Sequence, residues 1–194
     1  MATSTSKSAP ARGETAKQQD AIALLTADHK AVKALFEQFE TLMEREDADE
    51  RKAALVEKIC NELTLHAQVE EEIFYPAVRE AINDDALMDE ADVEHASAKD
   101  LIAQLEGMAP GDDQYAAKVV VLGEYVNHHV EEEEGEMFVK ARQSDVDTAR
   151  LGVELAARKD ELKSELGVED DAPEVAPKLT SANGAKKGAP AARK

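Results

Sequence analysis

The chain has 194 residues and a net charge of −19, from 42 acidic and 23 basic side chains. Its two ends are weakly basic, at +1 for residues 1–20 and +4 for residues 173–194, so residues 21–172 carry −24. Such an acidic body argues against nucleic-acid binding through the folded part, because phosphates are repelled. It suits a protein that handles cations. No apolar run reaches the length of a transmembrane helix, so no membrane partner is expected.

Cys60 is the only cysteine, which excludes an intrachain disulfide and a thiolate metal site. A reducing compartment follows, and we predict a cytoplasmic protein. The N-terminal residues lack the apolar stretch of a signal peptide. They are rich in Ser and Thr and slightly basic, so an organellar transit peptide stays open as an alternative.

The composition favours helices, since hydrophobic residues make up 43% and aromatic residues only 4% of the chain. Residues 1–18 and the Ala-, Pro- and Lys-rich residues 168–194 are predicted to be disordered. Between them, apolar residues recur at steps of three and four, which indicates amphipathic helices. The first runs over 19–46, where its stripe contains Ile22, Leu25, His29, Val32, Phe36 and Phe39.

Four further helices follow. The second spans 49–82 and must kink or end at Pro76, which lacks an amide hydrogen. NDDA at 83–86 reads as a turn with a helix cap, and the third helix then runs to about 107. GMAPGDD predicts a loop, and the fourth helix covers about 113–142. A shorter fifth helix at 145–166 is expected to be capped by Ser144 or Asp145.

These elements predict an all-α protein. The four long helices form an up-down-up-down bundle over residues 19–142. The fifth helix, within residues 143–167, is expected to pack outside this bundle.

Four of the five histidines lie on the apolar stripe of their own helix, one on each long helix. They are His29, His66, His95 and His129. A single histidine on such a face is usually a core residue bonded to a neighbour. Four on facing helices are better explained by a shared metal site, which satisfies all the buried imidazoles together.

Two glutamates strengthen this interpretation. Glu70 follows His66 by four residues, and Glu133 follows His129 by four, so each pair leaves the same helix face. One such pair is weak evidence in a Glu-rich chain, but the repetition is not. Four imidazoles and two carboxylates in a bundle interior indicate a two-metal carboxylate site. Iron or manganese suits these donors, and zinc does so less specifically.

The stretch HHVEEEEGEMF, residues 128–138, leaves a choice of register. His129 continues the apolar line from Leu122 and Val126, whereas His128 lies about 100° away around the helix. A second register stays open, in which His128 or His129 pairs five residues on with Glu133 or Glu134. Gly135 would permit the local bulge that this register needs.

With these motifs the sequence resembles the hemerythrin-like, or HHE cation-binding, family. The resemblance covers about residues 20–142. It is carried by LLTADHKAVKALFEQF around His29, LTLHAQVEEEIFYPAV at 63–78, DVEHASAKDLIAQL around His95, and YVNHHVEEEEGEMFVKA at 125–141.

The resemblance implies a four-helix bundle that holds a carboxylate-bridged centre of two iron ions. On that basis His29 and His66 hold one iron, and His95 and His129 hold the other. Glu70 and Glu133 bridge the two irons. The expected partner is dioxygen, peroxide or nitric oxide.

The pattern departs from the oxygen-carrying members in two places. Lys99 stands four residues after His95, where those members have a second histidine. His129 is followed by a glutamate at four residues rather than an aspartate at five. A centre with fewer ligands leaves room for water, peroxide or substrate, which favours redox chemistry or sensing over oxygen carriage.

Several functions therefore stay open. The first is a protein that binds or senses oxygen, peroxide or nitric oxide, or handles iron. The second is a di-iron enzyme with peroxide-disproportionating or ferroxidase activity, or a role in iron–sulfur repair. The third is an acidic bundle whose histidines only pack. Tyr75 and Tyr125 are expected near the site, either as hydrogen-bond donors or as ordinary half-buried tyrosines.

Overall fold

A computed structural model of the chain describes residues 20–168, which are helical apart from short connections. The predicted all-α class is confirmed. Of the two segments predicted to be disordered, 1–18 and 168–194, all residues except Val168 lie outside the described residues. The helices are α1 (Ala21–Met43), α2 (Asp49–Val69), α3 (Tyr75–Ile82), α4 (Asp85–Glu106), α5 (Tyr115–Glu132), α6 (Phe138–Gln143) and α7 (Thr148–Leu166).

The four long helices form a closed ring. α1 packs against α2 and α5, and α4 packs against the same two helices. Since short connections join consecutive helices, neighbours run antiparallel, and the predicted up-down-up-down bundle is confirmed. α7 lies outside the ring, where it contacts α1 and α2.

Aspartates begin three of the helices. Asp20 accepts a 2.9 Å bond from the Ala23 amide, and Asp84 accepts one of 3.3 Å from the Leu87 amide. Asp147 accepts a 3.0 Å bond from the Arg150 amide. Each side chain satisfies an amide that has no partner within its helix. The fifth predicted helix therefore starts later than expected, at Thr148, and neither Ser144 nor Asp145 is its cap.

Two π-helical turns interrupt the bundle, at Glu70–Phe74 and Glu133–Met137. In the first the Tyr75 amide donates to the Glu70 carbonyl, and in the second the Phe138 amide donates to the Glu133 carbonyl. Pro76, where the sequence predicts a kink or an end of the regular helix, stands in the first turn of α3 just after the first π turn. Such turns are rare and cluster at functional sites.

The bundle repeats one order of elements. α1, α2, a π turn and α3 form the first half, and α4, α5, a π turn and α6 form the second. Each half carries an acidic residue followed by histidine on its first helix, Asp28–His29 and Glu94–His95. Each π turn then begins with two consecutive glutamates. They are Glu70 and Glu71 in the first turn, and Glu133 and Glu134 in the second.

Two apolar clusters fill the interior on either side of the bundle's midpoint. One contains Leu25, Phe74 and Met137 and takes in the buried face of α7 through Leu151, Leu155 and Leu162. The other contains Phe39, Ile59 and Leu122. Within residues 20–168, no helix is both long and apolar enough to cross a membrane.

Candidate metal centre

All six residues singled out from the sequence meet in the middle of the bundle. The four histidines are 4–8% exposed, while Glu70 and Glu133 are 0% and 1% exposed. Each is placed by its own long helix or by a π turn. The members are His29, His66, Glu70, His95, His129 and Glu133.

The imidazoles form two close pairs. The Nε2 atoms of His29 and His66 are 3.1 Å apart, and those of His95 and His129 are also 3.1 Å apart. The rings cross at steep angles of 72° and 62° in the two pairs. Each pair therefore aims its Nε2 atoms at one small volume rather than stacking ring on ring.

Each glutamate lies close to one imidazole of each pair. Glu70 Oε2 lies 3.2 Å from His66 Nε2 and 3.5 Å from His95 Nε2. Glu133 Oε2 lies 3.2 Å from His29 Nε2 and 3.5 Å from His129 Nε2. Donor atoms at these separations can share an ion at bond lengths of about 2.0–2.2 Å.

Three buried carboxylate oxygens accept no hydrogen bond from any residue in 20–168. They are both oxygens of Glu70 and Oε2 of Glu133. A buried polar atom without a partner is strongly unfavourable. Cations bonded to these oxygens would remove that penalty, so this donor set fits metal ions.

The outer nitrogen of each histidine contacts a carboxylate from a different helix or π turn. The Nδ1–oxygen distances are 2.9 Å for His29–Glu134, 3.4 Å for His66–Asp28, 2.9 Å for His95–Glu71 and 2.8 Å for His129–Glu94. An ionised carboxylate can only accept, so Nδ1 carries the proton and Nε2 presents its lone pair inward. Carboxylate–histidine pairs of this kind orient metal ligands.

The sequence prediction did not assign these four carboxylates as partners of the imidazoles, and Glu134 entered it only as a possible ligand in the alternative register. Asp28 and Glu94 each precede an inward-facing histidine, and Glu71 and Glu134 each follow a buried glutamate. That repeat is the signal that could have found them. The repeat is hard to see in the sequence. The runs Glu70–Glu72 and Glu131–Glu134 place acidic residues at several different spacings from each histidine.

The two central carboxyls have opposite pKa shifts. Burial, and then the charge of Glu133, raises the pKa of Glu70 well above its ordinary value. Burial also acts to raise the pKa of Glu133, but contacts with His29 and His129 outweigh it and bring the value to about 2. Two buried carboxyls this close do not both ionise without a cation between them.

The histidines also differ from one another. Burial and the neighbouring His129 lower the pKa of His95 to about 4, and burial lowers the pKa of His66. Burial acts to lower the pKa of His29 as well, but its contacts with Glu133 and Glu134 raise it overall. At neutral pH, His66 and His95 are therefore neutral imidazoles, which is the form that binds metals.

The two halves differ in the residue that follows the π turn. It is Tyr75 in the first half and Phe138 in the second. The Tyr75 hydroxyl donates a 2.9 Å bond to Glu133 Oε1 and lies 3.1 Å from His95 Nε2. Phe138 instead stacks on His29, with ring centroids 5.8 Å apart. Tyr75 is 3% exposed, while Tyr125 is 49% exposed, so only Tyr75 is a buried donor.

A small cavity of about 40 Å³ adjoins the centre. Its walls include the four histidines together with apolar side chains such as Val32, Ala98 and Val126. At roughly 10–15 Å³ for each water molecule, it admits about three molecules of that size. Lys99 and Tyr125 also line it.

Neither His128 nor Cys60 belongs to the buried centre. The His128 side chain is 63% exposed and lies 3.5 Å from Glu132 and 3.7 Å from Glu94 on the surface. Cys60 packs in the apolar cluster with Phe39. Burial raises the pKa of its thiol to about 11, so thiolate ligation is disfavoured.

Comparison with known proteins shows the family of this chain. The model of the Hemerythrin HHE cation binding domain matches residues 20–141. The chain belongs to this family. It is therefore a metal-binding, hemerythrin-like protein, and α7 lies beyond the residues that the family model matches.

A solved relative has the same hemerythrin-like fold. It is the crystal structure of a hemerythrin HHE cation binding domain-containing protein from Mycobacterium kansasii. The TM-score is 0.63 at 23% identity, and the likeness covers 76% of this chain and 89% of that one.

A curated relative carries a different description. It is a "DNA nickase" of Nostoc sp. (strain PCC 7120 / SAG 25.82 / UTEX 2576), 27% identical over 146 residues. The match covers 74% of this hemerythrin-like chain, which spans only 40% of the length of that relative.

Proposed function

We propose that this hemerythrin-like chain binds two iron ions in a carboxylate-bridged centre. His29 and His66 hold one ion, His95 and His129 hold the other, and Glu70 and Glu133 bridge them. The observation that carries the proposal is the reach of each glutamate, whose Oε2 lies within 3.5 Å of an imidazole from both pairs. A carboxylate that served a single ion would contact one pair alone.

Iron rests on the resemblance and on the donor set. A set of four imidazole nitrogens and two carboxylates, without thiolate, suits iron or manganese better than it suits a soft metal ion. The outer carboxylates Asp28, Glu71, Glu94 and Glu134 hold each Nδ1 proton, which leaves the Nε2 lone pairs available.

We further propose that the centre binds or senses dioxygen, peroxide or nitric oxide. When bound, iron supplies redox chemistry and an open position for such a molecule. The adjoining cavity of about 40 Å³ has room for a diatomic molecule or peroxide but not for a bulky substrate. Most of its wall is apolar, which disfavours water beside a bound ligand.

Tyr75 favours a second candidate, the disproportionation of peroxide. Burial and then the charges of Glu70 and Glu133 raise the pKa of Tyr75 well above its ordinary value, so its hydroxyl stays protonated. It lies 3.1 Å from His95 Nε2 and 3.3 Å from His129 Nε2. When its hydroxyl turns away from Glu133 Oε1, Tyr75 can donate its one hydrogen bond to peroxide at this end of the centre.

The test begins with a metal count by mass spectrometry on protein purified without added metal. The apoprotein is then loaded with ferrous iron under argon and exposed to air. We expect about two irons per chain and absorption bands that appear with oxygen. Reversible bands indicate oxygen binding, whereas gas evolution from added peroxide indicates the enzyme.

Matched variants make this test specific. H129Q removes a buried imidazole and H128Q an exposed one from the same helix. Failure of the wild-type protein and H128Q to retain about two metals would overturn the proposal.

The name DNA nickase is not carried over to this chain. Residues 21–172 have a net charge of −24, which repels a phosphate backbone. The match also leaves most of that relative's length without a counterpart.

A further inference from the structure

Helix α7 reaches the outer hydrogen bonds of the metal centre, although it lies beyond the family-matched residues 20–141. Lys159 Nζ lies 2.6 Å from Asp28 Oδ1 and 3.9 Å from Glu62 Oε2. The lysine and Asp28 side chains are only 18% and 24% exposed. This ion pair is therefore partly shielded from solvent, unlike an ordinary surface pair.

Asp28 links this lysine to a candidate ligand. One of its oxygens accepts from Lys159, and the other lies 3.4 Å from Nδ1 of His66. The chain of contacts runs from α7 through α1 to α2. Asp28 also directly precedes His29, so its position bears on both imidazoles of this pair.

His66 depends more on this support than the other histidines do. Its Nδ1–carboxylate distance of 3.4 Å is the longest of the four, against 2.8–2.9 Å for the others. At 3.4 Å this hydrogen bond is near the limit at which such a bond still forms, so a small shift of Asp28 away from α2 breaks it, whereas the three shorter bonds tolerate the same shift. In the other half, Lys99 within the bundle holds Glu71 at 2.6 Å, and Glu71 is 2.9 Å from His95.

α7 is fixed well enough to serve as a support. Leu151, Leu155 and Leu162 are each 2% exposed and pack in the apolar cluster below the centre. Arg158, next to Lys159, donates a 2.7 Å bond to Glu72 in the first π turn. Apolar burial and this ion pair together set the position of Lys159 relative to α1.

We propose that Lys159 is a positioning residue through which α7 holds His66, by way of Asp28, in the direction that metal binding needs. This inference rests on the proposed two-ion centre. It makes one of the two ions dependent on an element outside the bundle. The ion of His29 and His66 then loosens when Lys159 is removed, while the ion of His95 and His129 stays.

The experiment compares K159M with K159R and K159Q in the full chain. The matched control is R150M, which removes a cation from α7 whose one ion-pair partner within residues 20–168 is Glu154, in the same helix. Ferrous iron is titrated anaerobically into each apoprotein. We expect K159M and K159Q to lose about 10–100-fold in affinity for one of two ions, while K159R recovers affinity and R150M matches the wild type.

A second readout does not require metal. In the apoprotein, the imidazole nitrogen resonances of His66 are expected to shift in K159M and return in K159R. Those of His129, whose partner is Glu94, stay in place. Unchanged His66 resonances together with two tightly held ions in K159M would overturn the positioning role. The two proposals can also fail separately. If the wild-type protein retains no iron but the His66 resonances still shift in K159M, the proposed centre is overturned and the link from Lys159 through Asp28 to His66 stands.

Discussion

The Tyr75 hydroxyl donates a 2.9 Å hydrogen bond to Glu133 Oε1. The residue just after the first π turn thus holds the carboxylate that opens the second. Replacing Tyr75 by phenylalanine keeps the ring packing but leaves another buried oxygen without a donor. We expect Y75F to lower the free energy of unfolding of the apoprotein by about 1–3 kcal/mol.

Chemical denaturation of the apoprotein measures this loss. Y125F is the control, because it removes a hydroxyl from a side chain that is 49% exposed. If both variants unfold at the same denaturant concentration as the wild type, the hydroxyl of Tyr75 does not support Glu133.

The adjacent histidines His128 and His129 are expected to behave differently. His129 faces the centre, with its Nε2 3.5 Å from Glu133 Oε2, whereas the His128 side chain is 63% exposed. H129Q should therefore lose bound metal and H128Q should keep it, as counted by mass spectrometry. Metal loss in H128Q alone would support the register in which His128 is the ligand.

Glu70 is expected to bind metal at a cost to the stability of the apoprotein. It is fully buried, and neither of its oxygens has a hydrogen-bond partner among the described residues. Methionine has a similar length without the carboxyl. E70M should therefore raise the free energy of unfolding of the apoprotein by about 1–3 kcal/mol and abolish metal retention.

E154M provides the comparison, since Glu154 makes a solvent-exposed ion pair with Arg150. Its loss is expected to lower stability by less than about 1 kcal/mol and to leave metal binding intact. A destabilised E70M apoprotein would show that Glu70 has a partner that stabilises it without metal.

The stability of the apoprotein should depend on pH through His95. Its pKa in the folded state is lowered to about 4, below the ordinary value of 6.5. Between these values the unfolded chain binds more protons, so the free energy of unfolding falls as pH drops from 6.5 towards 4. At 1.36 kcal/mol for each pKa unit, this group contributes up to about 3 kcal/mol.

Denaturation at a series of pH values, with H95Q as the comparison, isolates this contribution. The wild-type apoprotein should lose stability over this window more steeply than H95Q. Nuclear magnetic resonance should show the His95 imidazole becoming protonated only near pH 4. Parallel pH profiles for the two proteins would contradict the shift.

Ala98 lines the cavity beside the centre. A98L adds side-chain volume to the wall of this space of about 40 Å³ and replaces no candidate ligand. We expect about two metals to be retained and the association of oxygen or nitric oxide to slow roughly tenfold, equivalent to about 1.4 kcal/mol of added barrier. Stopped-flow absorption measures the rate. A103L, on the solvent side of the same helix, should leave it unchanged.

Hydrophobic periodicity was sufficient to predict the fold class and the long helices. It also selected the six residues that meet in the interior, because burial of a polar side chain on an apolar stripe is visible in sequence. Helix ends were less accurate, as the start of α7 at Thr148 shows. Competing capping residues lie within a few positions of each other there.

Other features of the site could not be predicted from local pattern. The π turns change which side chains face inward, and only Pro76 and Gly135 hinted at them. Asp28 and Lys159 meet across 131 positions of sequence. Tyr75 and Tyr125 looked alike because burial at a packing boundary depends on neighbouring helices.

The repeated order of helices in the two halves has a consequence for how the centre can vary. A helical hairpin with an acidic–histidine step and a His-x-x-x-Glu-Glu run supplies half of the proposed ligands, so a duplicated hairpin would supply a symmetric centre. Joining both copies in one chain frees each to diverge. Tyr75 opposite Phe138, and Lys159 beside only one pair of histidines, are differences that two identical chains in a dimer could not maintain.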